Sequence, residues 1–173
     1  MIISFTWKCH ALSILLGLIL AFALSGVVSL VFFDGNFDFS VVKSLPLLIL
    51  LIPVHELIHY ILFPDLKNTK IGFSFKRFSF FAFTSTAMSK SRFILAASGP
   101  VLILTILPLI CLLVNPHPFL ARVALINLLG SGMDLIILAR ILFLPRISQI
   151  IMEESALLVS VVPTPHGSEK MTQ

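Results

Sequence analysis

Two histidines and a glutamate, in the run His55-Glu56-Leu57-Ile58-His59, carry the clearest chemistry in this sequence. Residues four apart on a helix share one face, one turn above the other, so His55 and His59 can offer two imidazole nitrogens to a single metal ion. A carboxylate directly after the first histidine can reach a water held between them. This is the H-E-x-x-H arrangement, with His55 and His59 as zinc ligands and Glu56 as general base. The motif lies inside an apolar run over about 45–63. Ionisable groups in hydrocarbon are costly, so such a cluster points to function before it points to structure.

A catalytic zinc needs a third protein ligand and an open position for water. The apolar segment over about 119–144 holds one acidic residue, Asp134. With both segments running from outside to the cytoplasmic face, His59 and His55 are expected roughly 6 to 12 Å deep, and Asp134 roughly 9 to 15 Å deep, at 1.5 Å per residue. The three side chains therefore fall at one depth. Asn127, Ser131 and Asp134, at i, i+4 and i+7, would share a polar face on that helix. Asn127 and Ser131 read most simply as interhelical hydrogen-bonding groups. Asp134 has no basic partner in any apolar span and needs a cation. Glu56 is the one glutamate of four within an apolar span.

The elements that position these residues are membrane helices. The chain is 58% hydrophobic and 12% charged, with a mean hydropathy of +1.08. An ordinary soluble domain carries about twice that charge. The expectation is an all-α membrane protein, one domain over 1–162, with transmembrane helices at about 11–33, 44–63, 93–114 and 119–144. The first is too long for a signal-peptide core and is read as retained. Pro53 lies within the second helix and is either an ordinary membrane-helix proline or a bend that aims His55. The small residues Ala96-Ala97-Ser98-Gly99-Pro100 allow a neighbouring backbone close to the third helix. Residues 155–162 read as a short strand or a surface helix, and 163–173 as a disordered tail.

Between the second and third helices, Ile71, Phe73 and Phe75, then Phe78, Phe80, Phe81 and Phe83, follow a period nearer two than 3.6. This predicts a short interfacial β-hairpin turning near Lys76-Arg77. It serves either as an amphipathic loop resting on the membrane or as an edge strand for an extended substrate. The net charge of +4 comes from residues beside apolar runs, so it signals topology rather than nucleic acid. Lys8, the six basic residues of 66–92, Arg140 and Arg146 place both termini and this loop on the cytoplasmic side. Cys9 and Cys111 have no metal-ligand spacing.

The motif residues, Ala97-Ser98-Gly99-Pro100, and the run from Asn127 to Asp134 together resemble the zincin-peptidase family of small multi-pass membrane proteins, distantly similar to site-2 proteases. The resemblance covers about 46–162. It implies zinc held by His55, His59 and Asp134, water activated by Glu56, and a scissile carbonyl held by Asn127. Leu135 after Asp134 and the absence of a proline after Asn127 depart from the site-2 pattern. The expected function is an intramembrane zinc metalloprotease cutting a membrane or membrane-proximal protein or peptide near the cytoplasmic face. The alternatives are a non-hydrolytic metal-binding membrane protein (a sensor or carrier) and a structural protein with a vestigial motif.

Overall fold

A computed structural model describes residues 2–4, 6–40, 42–74, 79–144, 148–152 and 156–161. The expected hairpin turn at Lys76-Arg77 and the tail at 163–173 lie outside the described residues. In chain order, β1 (Ile2–Ser4) leads into α1 (Trp7–Phe33), and α2 (Leu45–Leu62) follows a short loop. A hairpin of β2 (Thr69–Ser74) and β3 (Ser79–Thr84) comes next, then β4 (Met88–Ser89). The third apolar segment is helical from Lys90 to Leu112. It comprises α3 (Lys90–Val101), a wider π-helical turn at Leu102–Ile106, and α4 (Leu107–Leu112). α5 (Pro118–Gly130), α6 (Gly132–Leu142), β5 (Ser148–Met152) and β6 (Ala156–Val161) complete the described chain.

Among the described residues, three helical stretches are long and apolar enough to cross a membrane: Lys8–Phe33, Leu45–Leu62 and Lys90–Leu112. The fourth expected span differs from the expectation. Instead of one straight helix over 119–144, α5 and α6 meet at a 61° bend. The sequence Gly130-Ser131-Gly132 explains the break, because two glycines and a serine hold a helix poorly. α1 packs across the break: a Cβ on Gly132 would lie 1.9 Å from the Ser13 carbonyl oxygen, and one on Gly17 would lie 2.1 Å from that of Leu129. Only glycine fits at these two crossings.

The period-two stretch does form a hairpin, with Phe73 opposite Phe80 and Ile71 opposite Ala82. An all-helical fold otherwise understates the strands. A second sheet, in the order β1-β6-β5-β4, is antiparallel throughout. Residues 156–161 are therefore a strand, and part of the N-terminal head pairs with it, Ile3 lying opposite Leu157. The two ends of the described chain meet in one sheet. Short runs such as Ile2–Ser4 carry too few residues to show a period, so only the long-range pairing reveals them.

A buried cluster of Phe63, Phe93, Ala96, Ile137, Ile141 and Ile150 joins α2, α3 and α6 to this sheet. Large apolar side chains elsewhere point outward, among them Ile14, Ile19 and Leu30 on α1, Ile49 and Ile61 on α2, and Ile110 on α4.

Candidate metal centre

His55, Glu56 and His59 sit in the last two turns of α2, which runs unbroken through Pro53. The helix can approach α3 closely because of Gly99, where a Cβ would lie 2.3 Å from a Leu62 methyl and 3.1 Å from Ile58. At this closeness the Nδ1–H of His59 donates to the Ala96 carbonyl at 2.9 Å. The small-residue stretch thus places a backbone acceptor under a histidine. No residue type in the sequence marks that acceptor.

His55 is oriented from α5. Its Nδ1–H donates to the Asn127 side-chain oxygen at 2.9 Å. The Asn127 amide nitrogen faces the Pro100 carbonyl at 3.0 Å, the Thr105 hydroxyl at 2.9 Å and the Ser131 hydroxyl at 3.3 Å. A backbone carbonyl can only accept, so the amide orientation is fixed with its oxygen toward His55. The π-helical turn supplies Thr105, whose hydroxyl donates to the Ala124 carbonyl. π-turns of this kind commonly lie at functional sites.

Both tautomers follow. With Nδ1 protonated on each ring, both neutral imidazoles present an Nε2 lone pair. These two nitrogens lie 3.2 Å apart. The Asp134 carboxylate, from the first turn of α6, lies 3.0 Å from Nε2 of His55 and 3.4 Å from Nε2 of His59. The ligand atoms of His55, His59 and Asp134 all lie within 4.8 Å of one another. Three acceptors facing inward repel one another unless a cation or a proton joins them. Ligands at 2.0–2.1 Å in a tetrahedral site are about 3.3–3.4 Å apart, close to the three separations here. The set fits a divalent metal: two imidazole nitrogens, one carboxylate, and ring N–H groups anchored on oxygen, which fixes the orientation of each ring.

The bend at Ser131 matters to this arrangement. Asn127 lies before it and Asp134 after it, so the two approach opposite nitrogens of the same imidazole. A straight helix would separate them by roughly 10 Å along its axis. The sequence singles out Asp134 as the acidic residue of its apolar run, but its position beside the histidines comes from the bend rather than from a shared helix face. Asn127, 3% exposed, has its amide protons directed at protein acceptors.

Glu56, next to His55, lies close to the Ala82 backbone of β3 in the hairpin. A cleft of about 480 Å³ opens beside it, walled by His55, Glu56 and Asn127 together with apolar side chains of α2, α5 and the hairpin. Phe73 and Phe80 lie edge to face over it, their ring centres 4.9 Å apart. The hairpin is tied down at its base by Asp65. Its carboxylate accepts from the Asn68 side-chain amide, the Lys67 backbone N–H and the Thr86 hydroxyl. The Asn68 amide is the largest of the influences that hold the Asp65 carboxyl below the usual carboxylate range.

A family profile described as "Putative zincin peptidase" matches residues 48–148, a stretch that holds His55, Glu56, His59, Asn127 and Asp134. No curated protein and no solved structure matches the chain. With more than half of its length under that profile, and with the motif histidines and an aspartate gathered into one donor set, the chain belongs to the zincin-peptidase family.

Proposed function

We propose that this protein is an intramembrane zinc peptidase that hydrolyses a peptide bond of a membrane or membrane-proximal substrate near the cytoplasmic face. The observation that carries the reading is the convergence of His55, His59 and Asp134 within 4.8 Å, with Glu56 beside them on the wall of an open cleft. Outward-facing apolar side chains on α1, α2 and α4 support a lipid surround, since soluble monomers rarely expose such patches. The distribution of lysine and arginine supports a cytoplasmic placement of both termini and the hairpin.

Zinc held at this site would polarise the scissile carbonyl and lower the pKa of a water toward about 7. The protein's own groups do the rest. Asn127 and the Ala96 carbonyl fix the two rings, so that neither histidine must reorient during turnover. Glu56 takes a proton from the attacking water and hands it to the leaving amine. A helical substrate must first unwind, and the hairpin offers strand edges and phenylalanine rings to hold the extended form.

The test is Glu56→Gln, which removes the base and leaves the three metal donors. The expected result is stoichiometric zinc by elemental analysis together with loss of cleavage, and full-length membrane proteins that accumulate in cells carrying the variant. Cleavage at the wild-type rate by Glu56→Gln would overturn the peptidase reading. A wild-type chain with no more zinc than His55→Ala would remove the metal site altogether.

A further inference from the structure

We infer that the cleft beside Glu56 is a side-chain specificity pocket, that it takes one bulky apolar residue of the peptide next to the bond to be cut, and that Gly130 keeps it open. The inference rests on the peptidase reading and adds the substrate class to it.

The cleft has the character of a ligand site, mostly apolar with a few convergent polar groups. Leu48, Leu51 and Ile52 of α2 and Ile126 of α5 form its walls, and the polar groups on it are those already tied to the metal centre and the base. The Phe73–Phe80 pair presents ring surface to an occupant, and aromatic rings favour contact with other rings and with branched aliphatic groups. A residue seated here would be adjacent to Glu56, and so to the bond that Glu56 serves.

Gly130 supplies the second observation. Gly17, Gly99 and Gly132 are each crowded by a neighbour that a side chain would strike. At Gly130, which lines the cleft, a Cβ would meet nothing within 4 Å. Glycine is a poor helix former, and here its small size relieves no packing conflict. The missing side chain leaves volume in the cleft instead. Alanine, valine or phenylalanine at this position would project into free space and shrink the pocket in steps.

The experiment uses the full chain in nanodiscs of phosphatidylcholine, loaded with zinc and carrying Glu56→Gln so that peptides bind without turnover. The probes are fluorescent alanine-based peptides with one phenylalanine or leucine walked along the sequence. At one position, phenylalanine or leucine should bind at least about 10-fold tighter than alanine. Adding Gly130→Ala, Gly130→Val and Gly130→Phe should erode that preference in order of size, with zinc content retained. Equal binding of all peptides overturns the inference, as does a preference that Gly130→Phe leaves intact. A second arm gives the same peptides to the protein with Glu56 present. Cutting at a fixed distance from the bulky residue supports both readings. A Gly130-dependent binding preference with no cutting keeps the pocket and overturns the peptidase.

Discussion

His55 donates its Nδ1–H to the side-chain oxygen of Asn127 at 2.9 Å, across the contact between α2 and α5. The bond does two things at once. It fixes the tautomer that leaves Nε2 free to face His59 and Asp134, and it turns the asparagine so that its amide protons point at Pro100, Thr105 and Ser131. Asn127 thus acts on the candidate metal centre through one of its three donors.

Asn127→Ala should accordingly weaken zinc binding by about 10- to 100-fold, the usual cost of losing the hydrogen bond that orients a ligating histidine. Competition against a chromophoric chelator measures it. If Asn127 instead holds a scissile carbonyl directly, cleavage will fall while zinc affinity stays at the wild-type value.

Gly132→Ala and Gly17→Ala should each destabilise the protein by about 1–3 kcal/mol, the range for overpacking. Each would drive a methyl group into a backbone carbonyl where α1 crosses the bend. Thermal unfolding in detergent reports this. Gly130→Ala, which meets nothing within 4 Å, should match the wild type or exceed it slightly.

Lys90, almost fully buried, donates its ammonium to the Leu142 carbonyl at 2.8 Å and to the Leu144 carbonyl. It closes the C-terminal end of α6, where the helix dipole favours a cation. Lys90→Met should cost about 1.5–3 kcal/mol, the range for hydrogen bonds to a charged group. A lowered thermal midpoint would show it, and an unchanged one would mean that the carbonyls find other donors.

Asp65 supplies a pH dependence. Its carboxyl is held below the usual range, first by the Asn68 amide. A depressed folded pKa means a contribution that is complete above the unfolded value of about 3.9 and disappears as pH falls through the folded one. The hairpin base should therefore hold at neutral pH and loosen only in acid. Protection of the β2 and β3 amides against exchange, relative to the unfolded chain at the same pH, should fall below about pH 4, and Asp65→Asn should make that protection nearly independent of pH.

The sequence alone determined what is local or periodic. The spacing of His55 and His59 puts both on one helix face, the uncharged runs measure out helices, the phenylalanine alternation marks the hairpin, and Asp134 stands out as the one acidic residue of its apolar run. These follow from the 3.6 and 2.0 periods and from the cost of charge in an apolar run. The tertiary structure decided how distant parts meet. The 61° bend puts Asn127 and Asp134 on the two nitrogens of one imidazole, and Ala96 becomes the anchor of His59 through a carbonyl that every residue possesses. β1 finds β6 from the far end of the chain. Gly17, Gly130 and Gly132 are the same letter, yet two are tight crossings and one lines a cleft. Backbone acceptors and empty space leave no mark on residue identity, so only packing reveals them.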